Sequence, residues 1–121
     1  MSINKILVVD DSAAELNFLK TIVSEAGFAV VAAQSGQEAL DIARQEHPDL
    51  IFLDIIMPDM DGFATCRELH NDPTTKDIPV VFVTSKNQKA DRLWAQMTGA
   101  KAFITKPYTA DVIIDQIKAL Q

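Results

Sequence analysis

Residues 6–15 read Ile6-Leu7-Val8-Val9-Asp10-Asp11-Ser12-Ala13-Ala14-Glu15. Four consecutive apolar residues, rather than an alternation, describe a strand buried on both faces, and two acids follow it at once. Ser12-Ala13-Ala14-Glu15 then has the Ser-x-x-Glu spacing of a capping box, so a helix starts where the strand has just stopped. Strand, acidic turn, helix is the opening of a βαβ unit.

The rest of the chain repeats that opening. Apolar runs recur at Ala29-Val30-Val31-Ala32, Leu50-Ile51-Phe52-Leu53, Val80-Val81-Phe82-Val83 and Ala102-Phe103-Ile104. Between them apolar residues fall at helical spacing: Leu16, Leu19, Val23 and Ala26; Ala39, Leu40 and Ala43; Ile113, Ile117 and Leu120. Ser35-Gly36-Gln37-Glu38 is a second capping box, and Gly27 and Gly99 stand where helices should stop. Asp61-Gly62, Asn87 and Thr109 are starts for the remaining helices. The stretch from His70 to Asp77 reads as a surface loop. Strict succession of strand and helix predicts an α/β fold of (βα)5 type, a doubly wound parallel sheet in a three-layer sandwich. Such a sheet binds ligands beyond the carboxyl ends of its strands, at the point where the strand order reverses.

Composition bounds what this fold is used for. The chain has 121 residues, 48% of them hydrophobic, with no linker or repeat, so a single domain over residues 1–121 is expected. Seventeen Asp and Glu against 11 Lys and Arg give a formal charge of −6, which excludes nucleic acid and anionic membranes as first-choice partners. Cys66 stands alone, too few for a disulfide framework or a structural zinc site, and reads as buried packing. No stretch has the form of a signal peptide or a membrane span, so a cytoplasmic setting is expected.

Only residues that follow a strand can meet at the ligand-binding edge. Those residues are Asp10 and Asp11, Asp54, Thr84 and Ser85, and Thr105, Lys106 and Pro107, with Gln34 and Ser35 after the second strand. Three converging carboxylates repel one another and resist ionisation unless a cation neutralises them. Oxygen donors suit Mg²⁺, and neither His47 nor His70 is placed to favour zinc. A metal-bound carboxylate beside a lysine and a hydroxyl fits a phosphoryl group. Asp54 would be its nucleophile, and Lys106, Thr84 and main-chain N–H groups near Ile56 and Ser85 would contact its oxygens. Each residue alone has an ordinary explanation, as a cap, a turn residue or a surface charge. Four of five strands delivering matching groups to one edge outweighs it.

These residues resemble the receiver domains of two-component response regulators, the CheY-like family. The resemblance covers essentially the whole chain and rests on Ile6-Leu-Val-Val-Asp-Asp-Ser12, Leu50-Ile-Phe-Leu-Asp-Ile-Ile-Met-Pro-Asp-Met-Asp-Gly62, Val81-Phe-Val-Thr-Ser85 and Lys101-Ala-Phe-Ile-Thr-Lys-Pro107. It implies a flavodoxin-like sheet of order 2-1-3-4-5. It also implies that Asp54 is the phosphoacceptor, that Asp11 and Asp54 are direct Mg²⁺ ligands, that Asp10 binds the ion through water, and that the Ile56 carbonyl completes the protein ligands. Thr84 and Lys106 match the phosphoryl-contacting pair, Lys106-Pro107 a bond that is cis in many receivers, and Phe103 the aromatic switch. Phosphorylation would draw in the Thr84 loop, turn Phe103 inward and change the surface of helix four, strand five and helix five. Ile56 and Lys86 fall where side chains gate water attack on the acyl phosphate. The stretch from Thr84 to Gly99, with Asp91-Arg92-Leu93-Trp94, resembles single-domain regulators of the type IV pilus, twitching-motility branch of chemotaxis-like pathways. Trp94, beside Leu93 and Met97 in the fourth helix, is expected to be half-buried packing rather than a docking anchor.

The expected function is a stand-alone phosphorelay switch, self-phosphorylating and self-dephosphorylating at Asp54 but not otherwise an enzyme. No output domain is expected after the fifth helix, so output would come from a surface of this domain. A histidine kinase would be its donor and a downstream protein its target, with the chain a monomer or weak dimer. Alternatives are a phosphate sink without output and a small Mg²⁺-dependent phosphohydrolase working through an aspartyl phosphate. The hydrolase would want a second acid-base group and a covering insertion. A flavin carrier of similar topology would want a Gly-rich phosphate loop where Asp10-Asp11 stand.

Overall fold

The structure, a computed structural model, describes residues 2–121. Its elements run β1 (Lys5–Val9), α1 (Ala13–Glu25), β2 (Ala29–Ala33), α2 (Gly36–Glu46), β3 (Leu50–Leu53), α3 (Gly62–Asn71), β4 (Val80–Thr84), α4 (Lys89–Met97), β5 (Ala102–Thr105) and α5 (Ala110–Leu120). All neighbouring strands pair in parallel, in the order β2-β1-β3-β4-β5. That is the doubly wound α/β fold expected from the sequence.

Side chains alternate across the strands, and each face builds its own core. Ile6, Val8, Leu50, Phe52, Val81 and Val83 pack under Leu16, Leu19 and Val23 of α1 and Ile113 and Ile117 of α5. Leu7, Val9, Ile51, Leu53 and Phe82 pack under Ala39, Leu40 and Ala43 of α2, Cys66 and Leu69 of α3, and Ala95 of α4. Cys66 is wholly buried, as expected of a packing residue.

Continuous apolar runs mislead at the sheet edges. β1, β3 and β4 have neighbours on both sides and are buried along most or all of their length, whereas β2 and β5 lie at the edges and are mostly half-exposed. The stretch from His70 to Asp77 is also less loop-like than its composition suggests. His70 and Asn71 belong to α3, and Thr75 is buried with its hydroxyl donating to the Leu69 carbonyl at 2.6 Å.

Helix starts follow the sequence only in part. Ser12 and Ser35 cap α1 and α2 by accepting from the amides of Glu15 and Glu38. Neither glutamate returns to its own cap residue: Glu38 accepts from the Gln34 amide, and the Ser12 amide donates to Asp10 instead. The closed capping box belongs to α4, between Gln88 and Asp91, one residue beyond the expected start at Asn87. Gly27 and Gly99 follow the ends of α1 and α4 with φ of 97° and 89°, a region that glycine enters without steric cost. Trp94, Leu93 and Met97 are exposed, because α4 buries only Ala95; Trp94 lays one side against Phe63, ring centroids 6.2 Å apart.

Candidate phosphoryl and metal site

The site follows from strand register. Val9 of β1 pairs with Leu53 of β3, so Asp10 and Asp54, the next residue in each strand, emerge side by side where the strand order reverses. The backbone ladder continues one step further. The Asp10 amide donates to Ala33 at 3.1 Å, the Asp54 amide to Val9 at 3.1 Å, and the Lys106 amide to Thr84 at 2.9 Å. These bonds fix the backbone from which each charged side chain projects.

Asp10, Asp11 and Asp54 each place a carboxylate oxygen within 4.8 Å of the others. Lys106 Nζ lies 2.7 Å from Asp10 Oδ2 and 3.1 Å from Asp54 Oδ2, and Glu15 Oε1 reaches it at 3.2 Å from α1. Asp10 Oδ1 accepts from the Ser12 amide at 2.9 Å, and Asp54 Oδ1 from the Ile56 amide at 3.2 Å. Asp11 is exposed at the rim.

Burial and pairing compete at this cluster. Burial raises the Asp10 carboxyl above its ordinary value, against the opposing pull of Lys106 and the Ser12 amide. Burial works against the Lys106 ammonium, but Asp10 and Asp54 overcome it and hold the lysine well above its usual range. Lys106 therefore stays charged. Tyr108, beside it, is pushed up to about 12, mainly by burial.

The donor set fits a hard divalent cation. Every donor is an oxygen, and the single Lys106 ammonium, shared by Asp10, Asp54 and Glu15, leaves the cluster net negative.

Thr84 ends β4 fully buried, level with Thr105 of β5, and its hydroxyl accepts from the Lys86 amide at 3.3 Å. Ser85 and Lys86 are exposed in the following loop, and Ile56 is 49% exposed. The Lys106–Pro107 peptide is cis. Phe103 stands apart from the acids: it pairs with Phe82 in the ladder and is half-buried against the core beneath α2, α3 and α4.

Two residues at the site carry more than their sequence context suggests. Glu15 signals a capping box but turns its carboxylate to Lys106. Gly62 signals only a helix start, yet a Cβ there would strike the Asp54 carbonyl and come within 2.6 Å of Ile55 Cα. The start of α3 thus lies directly on the backbone that carries Asp54. The Gly62 amide donates to the Ile55 carbonyl at 2.9 Å, an approach that only glycine permits.

A family model described as the response regulator receiver domain matches residues 6–118. The chain belongs to this family. Among curated relatives, the receiver chain is 38% identical to protein PilH of Pseudomonas aeruginosa over 116 residues, covering 96% of each. It is 40% identical to the response regulator PleD of Caulobacter vibrioides over 116 residues, spanning 96% of this chain but 26% of PleD. Among solved structures, the chemotaxis protein CheY4 of Vibrio cholerae superposes with a TM-score of 0.93 at 25% identity, over 99% of this receiver and 100% of CheY4. Among the described residues, no helix of the receiver is long and apolar enough to cross a membrane.

Proposed function

We propose that this receiver takes a phosphoryl group onto Asp54 from a phosphohistidine of a kinase and signals by protein contact. The observation that carries the reading is the Lys106 ammonium seated between Asp10 and Asp54, at the edge where three carboxylates converge. In the transfer, an Asp54 carboxylate oxygen attacks phosphorus and an O–P bond forms. The N–P bond to the donor imidazole breaks, and the leaving nitrogen keeps the electron pair and takes up a proton. Asp10, Asp11 and Asp54, with the Ile56 carbonyl, would hold a Mg²⁺ ion that offsets charge on the phosphoryl oxygens. Lys106, with its position fixed on both sides, donates to one of those oxygens. The Thr84 hydroxyl and the amides near Ile56 and Ser85 donate to the others.

A depression of about 450 Å³ beside the acids, lined by Glu15, Phe18, Ser85, Lys106, Pro107 and Tyr108, gives a donor room to approach. Output runs through the face of α4, β5 and α5. There a groove of about 410 Å³ is lined by Arg92, Leu93, Ala95, Ala100 and Phe103. Movement of Thr84 toward the phosphoryl group, with Phe103 turning inward, couples the two regions. The protein acts in the cytoplasm, as a monomer or weak dimer. The match to PilH along both chains is consistent with the type IV pilus branch that residues 84–99 resemble.

Labelled acetyl phosphate with Mg²⁺ separates this reading from a hydrolase. A receiver retains label stoichiometrically, and Asp54→Ala retains none. Sustained release of phosphate from varied monoesters over many turnovers contradicts the reading.

A further inference from the structure

The output helix is held to the sheet by unusually little apolar packing. α4 buries one side chain, Ala95, where α1 and α2 each bury four residues, and residues 85–88 leading into it are all exposed. Few buried contacts make a segment easy to displace, so polar fasteners decide where it rests. The first is local: Asp91 pairs with Lys86 at 3.1 Å and accepts from the Gln88 amide at 3.1 Å, which shapes the helix start but reaches no other element.

The second crosses to the sheet. Arg92 Nη2 donates to Asn87 Oδ1 at 2.9 Å and to Thr105 Oγ1 at 3.0 Å, and the Thr105 hydroxyl donates to Asn87 Oδ1 at 3.2 Å. Three side chains thus close a ring joining the β4–α4 loop, the first turns of α4 and the last residue of β5. The same guanidinium lies over the Phe103 ring, 4.9 Å from its centroid. Thr105 is level with Thr84 in the ladder, and Phe103 is two residues before Thr105.

We propose that Arg92 is a positioning residue: it clasps the β4–α4 loop to the end of β5 and covers Phe103, holding Thr84 and Phe103 in their present arrangement until the loop is drawn away. The proposal rests on the reading in which these two residues respond to a phosphoryl group on Asp54. Planarity matters to the role. A guanidinium holds its donors in a rigid planar fork, so the bonds to Asn87 and Thr105 also fix its place over Phe103, whereas an ammonium is a compact point charge with rotatable donors.

The test uses the full chain without phosphodonor, so the clasp is read independently of phosphorylation. Ring ¹³C NMR of Phe103 measures the population of its minor orientation, and amide exchange at Val81 and Phe82 reports whether the sheet is intact. Two exposed hydrogen bonds and one exposed cation–π contact predict that Arg92→Ala raises the minor population about five- to tenfold with β4 exchange unchanged. Arg92→Lys and Thr105→Val should raise it less, and Thr105→Ser should restore the wild-type value. Thr105→Val carries the same test should Arg92→Ala not fold. Unchanged ring populations in Arg92→Ala and Thr105→Val, with β4 intact, overturn the clasp. If wild-type protein takes no phosphoryl group from acetyl phosphate, the reading of Asp54 falls, whereas the ring measurement still decides whether Arg92 restrains Phe103.

Discussion

Lys106 Nζ lies 3.1 Å from Asp54 Oδ2, across 52 residues of sequence, and both side chains are almost entirely buried. The lysine is the nearest positive charge to the proposed phosphoacceptor, and its 2.7 Å contact with Asp10 holds it there. It balances part of the acid cluster and is positioned to receive an incoming phosphoryl oxygen.

Removing that charge gives the first prediction. Lys106→Met should fold but lose about 1–3 kcal/mol of stability without metal, because buried carboxylates are left without their partner. Denaturant melts with and without MgCl₂ should show more rescue by Mg²⁺ in the variant than in the wild type. The variant should also no longer transmit phosphorylation to Phe103, measured as loss of the partner binding that phosphorylation promotes.

Asp11 separates metal binding from folding. It is exposed and lies within the acid cluster, so Asp11→Asn should change metal-free stability by less than about 0.5 kcal/mol. Thermal melts should nevertheless lose the upward shift that Mg²⁺ gives the wild type, since a ligand that binds only the folded state stabilises it by mass action. A Mg²⁺ shift of the same size in both proteins would place the ion elsewhere.

Gly62 is predicted to be intolerant of any side chain. Gly62→Ala sets a Cβ against the Asp54 carbonyl and Ile55 Cα, so α3 or the Asp54 backbone must move. A loss of about 1–3 kcal/mol in urea denaturation is expected for overpacking of this kind, together with slower phosphorylation of Asp54.

The strands and their order of use were legible because buried parallel strands are written as continuous apolar runs, and each run is followed by the residue that reaches the site. Asp10, Asp54 and Lys106 each stand within two residues of the end of such a run, which assigns them to one edge. What could not be read depends on tertiary approach. Glu15 matches a local capping pattern, but Lys106, far away in sequence, offers its carboxylate a full charge. Gly62 is needed because α3 crosses the Asp54 backbone, which nothing in Asp61-Gly62 itself reveals. Likewise the exposure of Trp94 and the partial exposure of β2 follow from their place in the assembled sheet and helices, not from their composition.

Acid should expose a different contact. Asp72 accepts from Arg44 Nε at 2.7 Å and from the Thr74 amide and hydroxyl at 2.9 and 2.8 Å, which lower its carboxyl from 3.8 to about 2. A depressed carboxyl stabilises the fold above its unfolded value, and that contribution is lost as pH falls through the folded one. Asp72→Asn should therefore be less stable than wild type at neutral pH, and the gap should close between pH 3.8 and about 2. The effect is small because the pair is at the surface. Melting temperatures of the two proteins across that window check the sign.

The most direct measurement is intact mass after incubation with acetyl phosphate, with and without Mg²⁺, followed by mapping of the modified peptide. The account predicts one added phosphoryl group, dependent on Mg²⁺, located on Asp54 and absent from Asp54→Ala. An adduct on another residue, an adduct that persists in Asp54→Ala, or none at all with Mg²⁺ present would contradict it.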